Sequence, residues 1–196
     1  HAHVLLLARY CLILFYPFDN ACPAAILGSG PSVGWATRSA ALGFAELDHN
    51  KQVSTIEPGV SGKHKRLGTR DILRDLERNL ARERVANMVT LVKGQSFKPE
   101  TMSAVRQALG SDQVGLLILD ADAAKRRDID CYRDKFSEGS WMVIDDIYGA
   151  DANEKITPSR ADIDALVAAG LLEPFGFYGW STWVGRWRSG GTVSSC

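Results

Sequence analysis

The run Val114-Gly115-Leu116-Leu117-Ile118-Leu119, closed by Asp120, constrains this chain most. A strand that is apolar at consecutive positions must be covered on both faces, as in a parallel sheet between helical layers. Shorter apolar runs recur at 24–27, 53–56, 89–92 and 141–144. Between them lie stretches predicted to be helical, at 35–47, 69–84, 99–109 and 125–136. The second is the clearest, with Leu73, Leu76 and Leu80 recurring at three- and four-residue spacing.

After residue 144 the rhythm changes. Thr157-Pro158-Ser159 predicts a helix start by N-cap chemistry, and Gly170 its end. Two strands at 171–178 and 181–187 follow, joined around Gly179-Trp180. Strands joined so closely are antiparallel, because a parallel return needs a long crossover. The expectation is an α/β, Rossmann-like, mostly parallel sheet of about seven strands, with helices on both faces and a C-terminal antiparallel hairpin. Such sheets bind ligands at the carboxyl ends of their strands.

The chain of 196 residues is one domain's worth, and no repeat or linker divides it. An N-terminal apolar helical or extended segment (1–23), a catalytic-type domain (24–188) and a C-terminal tail (189–196) are expected. The apolar run 4–18, broken by Arg9, is shorter than the roughly 20 residues of a membrane span. It reads as a core element ahead of the first strand rather than a truncated signal peptide, although the chain begins with His1. Lys and Arg total 23, as do Asp and Glu, so no net field favours nucleic acid or an anionic membrane. Cys11, Cys22, Cys131 and Cys196 are too few and scattered for a disulfide framework, and a reducing cytoplasmic setting is expected.

Two groups of residues can carry chemistry. Gly28-Ser29-Gly30, with Gly34, follows the first strand and precedes a helix, where a backbone can approach a ligand closely. Glu57 ends the second strand, where an acid can accept hydrogen bonds from ribose hydroxyls. It lies 27 residues beyond Gly30, against roughly 20 in dinucleotide folds. Asp120 and Asp122 close the fourth strand, and Asp145 and Asp146 the fifth. Clustered carboxylates repel unless a cation or basic group sits among them, and all-oxygen ligands suit magnesium, calcium or manganese.

In this order Gly28-Ser29-Gly30, Glu57, Gly94-Gln95-Ser96, Leu119-Asp120-Ala121-Asp122 and Val143-Ile144-Asp145-Asp146 resemble class I S-adenosylmethionine-dependent methyltransferases. The resemblance is closest to the small-molecule O-methyltransferases of the catechol, caffeoyl and related bacterial types. It implies an enzyme that methylates a hydroxyl of a small-molecule acceptor. It further implies that Gly28, Ser29 and Gly30 pass under the methionine part of the cofactor and that Gly34 also belongs to the cofactor site, with Glu57 on the ribose and Gln95 and Ser96 near the adenine. Asp120 would be shared between the cofactor and a divalent cation such as Mg2+, with Asp145 and Asp146 as the other ligands; Asp120 and Asp145 are the catalytic candidates.

Two positions depart from that pattern. The acid two residues before the first glycine is here Ile26, and the lysine three residues after the first metal Asp is Ala123. Lys125 and Arg126 read as outward helix residues, which leaves His64 and Asp122 as alternative bases. A binding domain that has lost activity therefore stays open as an alternative. An NAD(P)-dependent oxidoreductase is disfavoured by the absence of a Tyr-x-x-x-Lys motif. Arg66, Arg70, Arg74, Arg78 and Arg82 stack along one helix face among acids, which predicts a solvated, salt-bridged surface. Of Phe175, Phe177, Tyr178, Trp180, Trp183 and Trp187, alternation predicts half in the core. The rest are expected to meet an acceptor or a partner in a homodimer.

Overall fold

A computed structural model describes residues 24–30, 34–46, 51–59, 68–149, 154–179 and 181–190. The apolar run 4–18, His64, Arg66, Trp180 and the side chain of Tyr178 lie outside the described residues.

Seven strands are β1 (Ala25–Ser29), β2 (Gln52–Glu57), β3 (Val89–Lys93), β4 (Val114–Leu119), β5 (Phe136–Ile144), β6 (Leu172–Tyr178) and β7 (Thr182–Trp187). The described helices are α1 (Trp35–Glu46), α2 (Ile72–Arg82), α3 (Pro99–Leu109), α4 (Lys125–Tyr132) and α5 (Ile156–Ala168). The sheet order is β3-β2-β1-β4-β5-β7-β6, with β7 alone running antiparallel to its neighbours. This is the expected fold class.

Side chains along β4 alternate between two cores, as a pleated strand requires. Leu117 and Leu119 join Val105 and Leu109 of α3, Ile129 and Tyr132 of α4, and Ile163 and Leu166 of α5. Leu116 and Ile118 join Ala40, Ala41 and Phe44 of α1, and Leu76 and Leu80 of α2. The sheet is thus covered on both faces, and β4, its most apolar strand, lies at its centre. Trp183 and Trp187 are buried and Phe175 and Phe177 exposed, so half of these four are in the core. Alternation does not make the split, because Phe177 is the register partner of Trp183 and is exposed on the border strand β6.

Local signals explain most boundaries. Asp71 caps α2 by accepting from the Arg74 amide, and Pro99 opens α3 where no amide proton is needed. On α2, Ile72, Leu76 and Leu80 are buried and the expected Leu73 is only half-buried, while Arg74, Arg78 and Arg82, with Arg70 ahead of the helix, face solvent. Arg78 pairs with Asp75 at 2.6 Å on that solvated face.

Two expectations need correction. The fourth predicted helix ends at Tyr132 and passes through a 3-10 turn (Arg133–Lys135), so Phe136 begins β5. A register shift against β4 lets this strand start five residues earlier than its apolar core at Trp141. Thr157 is not the N-cap of α5: that place is taken by Lys155, and Pro158 stands inside the first turn. No helix among the described residues is long and apolar enough to cross a membrane.

Candidate functional site

The carboxyl ends of the central strands lie side by side because the hydrogen-bond ladder continues one residue past each strand. The Asp120 amide donates to Ser29 O, and the Asp145 amide to Leu119 O, both at 2.9 Å. On the other side the Gly30 amide donates to Ile56 O at 3.1 Å and the Gly94 amide to Glu57 O at 3.2 Å. Glu57, the glycine turn, Asp120 and Asp145 therefore share one edge of the sheet.

Beneath the turn is a hollow lined by Ile26, Gly28, Ser29, Gly30, Thr37 and Asp120, among others. Thr37 and Thr55 meet through their hydroxyls at 3.0 Å, and both are buried beside Gly28. Gly30 has φ 76°, and a Cβ there would stand 2.5 Å from the Asp120 carbonyl oxygen. Gly34, at φ 97°, faces the side-chain tip of Leu76 rather than backbone, so there it is the left-handed φ that favours glycine. Glu57 is buried at the tip of β2, where it accepts from the Gly59 amide at 3.0 Å.

The carboxylates gather on the β4–β5 side. Asp120 opens to solvent within a concave rim, and its carboxyl is pushed up to about 7. Desolvation by the surrounding protein is the main cause, followed by the charges of Asp145 and Asp146. Asp145 accepts from the hydroxyls of Ser181 and Thr182, the latter at 3.0 Å. Asp146, at φ 60°, lies 3.4 Å from the ammonium of Lys155, which also donates to Ala121 O at 2.7 Å. The structure thus brings Asp120, Asp145 and Asp146 into one electrostatic cluster. Among the described residues, however, no three acidic, histidine or cysteine side chains are already arranged to hold an ion.

Lys125 overturns the sequence reading. It is not an outward residue: it is 1 % exposed, and its ammonium has no hydrogen-bond partner. Burial lowers its pKa, against the attraction of Asp120 and Asp146. Its position was legible, since Lys125, Asp128, Ile129 and Tyr132 recur at the spacing of one helix face, and all four are buried. A cation thus stands near the carboxylates two residues beyond Ala123.

Asp122 is not a free base. Partial burial raises its pKa, but the Ala124 amide and Arg127 outweigh that and hold it below the ordinary carboxylate value. Arg127 also bonds Asp128 at 2.7 Å and stacks over Phe97, 3.9 Å from the ring centroid. Asp128 in turn accepts from Ser96 Oγ at 2.8 Å, while the Tyr132 hydroxyl donates to Ser96 O at 2.6 Å. The Ser96 side chain is therefore committed to α4, whereas Gln95 is exposed on the turn after β3. This clamp joins residues far apart in sequence, and no local pattern announces it.

Comparisons with known proteins accord with this geometry. No curated protein matches the chain. Among solved structures, an O-methyltransferase from Bacillus cereus in complex with SAH is 12% identical, with a TM-score of 0.69, covering 93% of this chain and 80% of that one. TomG from Streptomyces achromogenes, an O-methyltransferase of tomaymycin synthesis in complex with SAM, is 13% identical (TM-score 0.67; 93% and 80% covered). CalS11, a TDP-rhamnose 3'-O-methyltransferase of calicheamicin biosynthesis, is 14% identical (TM-score 0.68; 95% and 81% covered). At these identities the likeness establishes the fold. The sequence model of a family does more: residues 34–163 match the one described as Rhamnosyl O-methyltransferase/CmcI. The chain belongs to this family of S-adenosylmethionine-dependent O-methyltransferases.

Proposed function

We propose that the carboxyl edge of the sheet is the active site, and that it methylates a hydroxyl of a small sugar-like acceptor. The adjacency of Ser29, Asp120 and Asp145 at neighbouring strand tips carries this reading. The family's description and the rhamnose named for CalS11 support a sugar hydroxyl as acceptor.

In this reading Gly28, Ser29, Gly30 and Gly34 pass under the methionine part of S-adenosylmethionine, and Glu57 accepts from the ribose. Asp120 lines the hollow beside Gly28 and offers a carboxylate to the methionine ammonium, which the buried Ile26 cannot. Gln95 and the backbone of Ser96 border the adenine. Methyl transfer is an in-line displacement: the acceptor oxygen forms the new C–O bond as the C–S bond breaks, leaving S-adenosylhomocysteine, and the hydroxyl proton passes to a carboxylate of the cluster, Asp120 or Asp145. The enzyme's main contribution is to align the two reactants at short range.

Asp120, Asp145 and Asp146 suit a hard divalent cation. Burial first, and then the charges of Asp145 and Asp146, push Asp120 up to about 7 despite Lys125 and Lys155, and a cation among the three carboxylates would offset that repulsion. Such a cation, held by these three residues, would lower the pKa of the acceptor hydroxyl and orient it. Ser181 and Thr182 hold Asp145 for this task, and the charge of Lys125 acts to lower the pKa of Asp120. The reading of a reducing cytoplasmic setting rests on the four scattered cysteines of the sequence.

Calorimetry and methyl-transfer assays test the reading. S-adenosylmethionine should bind and NAD should not; activity on hydroxylated acceptors should fall on chelation and return with Mg2+. Full activity in chelator would remove the cation, and cofactor binding without turnover on any hydroxyl acceptor would favour a binding domain.

A further inference from the structure

The same edge of the sheet carries an aromatic pair that the reading above leaves without a role. Tyr148 follows Asp145 and Asp146 on the loop after β5, and Phe177 lies near the end of β6. Trp183 of β7 is the register partner of both Ile144 and Phe177, so Phe177 stands at the level of the carboxylates. The two rings meet edge to face, with centroids 4.4 Å apart and planes at 79°. The guanidinium of Arg160 lies 4.5 Å from the Tyr148 ring centroid, and its Nε donates to Ile147 O at 3.3 Å. The Ile147 amide donates to Ser181 O at 2.9 Å, and the Ser181 hydroxyl donates to Asp145. One loop and one hairpin therefore brace both the aromatic pair and Asp145. Yet Phe177 is 57% exposed.

We infer that Phe177 and Tyr148 form a shelf on which the ring of the acceptor rests, and that this shelf selects acceptors with one apolar and one hydroxylated face. A pyranose has such faces: its C–H side can lie on Phe177 while its hydroxyls turn toward Asp145, Asp146 and the donors beside them. A single open aromatic face bordered by carboxylates and hydroxyls suits that two-sided ring better than a flat phenol, which needs a slot to cover both faces. The occupant follows from continuity with the carboxylate cluster. The inference rests on the proposed assignment of this edge as the active site and adds the residues that choose the acceptor.

The test uses the full chain saturated with S-adenosylhomocysteine and methyl α-L-rhamnopyranoside as probe, followed by ligand-observed NMR. Phe177→Ala and Tyr148→Ala should weaken probe binding roughly three- to tenfold. Tyr148→Phe, which keeps the ring, should bind normally. So should Phe175→Ala, which removes a second exposed aromatic, a partner of Trp141. S-adenosylhomocysteine affinity, measured by calorimetry, should stay constant throughout. Equal probe binding by Phe177→Ala and wild type overturns the shelf. So does a wild type that binds S-adenosylhomocysteine but no probe, and in both cases the proposed active site stands. A wild type that does not bind S-adenosylhomocysteine overturns both.

Discussion

Gly30 and Asp120 touch through their backbones: a Cβ on Gly30 would stand 2.5 Å from the Asp120 carbonyl oxygen and 2.6 Å from Ala121 N. This contact joins the turn after β1 to the turn after β4. Gly30→Ala meets both a steric clash and a left-handed φ of 76°. It should cost about 1–3 kcal/mol by chemical denaturation and weaken S-adenosylmethionine binding by calorimetry. Unchanged stability would mean that the two turns can part.

Asp120 gives the chain a pH signature. Its folded pKa is raised from 3.8 to about 7, so the folded state holds this proton more tightly than the unfolded chain does. The resulting stabilisation is full below 3.8 and is lost as pH rises through about 7. Carboxyl NMR should therefore find an Asp120 midpoint near 7 without divalent cation. Added Mg2+ should move that midpoint down; an unmoved midpoint would argue against a cation at this cluster.

Lys125 separates stability from function. Its buried ammonium has no hydrogen-bond partner, so Lys125→Met should keep or raise the melting temperature, since an apolar chain of similar length is easier to bury. The same change removes a positive charge that lowers the pKa of Asp120, so the Asp120 midpoint should rise and methyl transfer should fall. A lower melting temperature with unchanged turnover would assign Lys125 to the fold alone.

The clamp formed by Arg127, Asp128 and Ser96 predicts a graded series. Arg127→Ala leaves the buried Asp128 with only Ser96 beside it and should cost about 2 kcal/mol. Ser96→Ala removes one hydrogen bond and should cost about 1 kcal/mol. Both should raise KM for S-adenosylmethionine more than they lower kcat, because the clamp holds the turn after β3. Steady-state kinetics with varied cofactor measures that split.

Legibility in the sequence followed the range of the interactions. Strand β4 and helix α3 match their predicted limits, because an unbroken apolar run and an opening Pro99 with a closing Gly110 act locally. The start of β5 was hidden because Phe136 pairs with Val114 across a register shift, and the polar Ser137, Glu138 and Gly139 between it and Trp141 carry no strand pattern. The acidic strand ends were legible as a cluster, since parallel strands bring their tips to one edge. Lys125 was misread because a lysine is ordinarily solvated, although its helical face also carries Ile129 and Tyr132. The Ser96–Asp128 contact, 32 residues apart, could be read only from the folded chain.

The late hairpin also has a consequence for biosynthesis. Because β7 inserts between β5 and β6 rather than adding at the border, β6 cannot join the sheet until β7 has emerged. Asp145 receives Ser181 and Thr182 only at that moment. A nascent chain that stops short of Thr182 would expose a raw sheet flank and an unanchored carboxylate together, so completion of folding and catalytic competence should arrive as a single event.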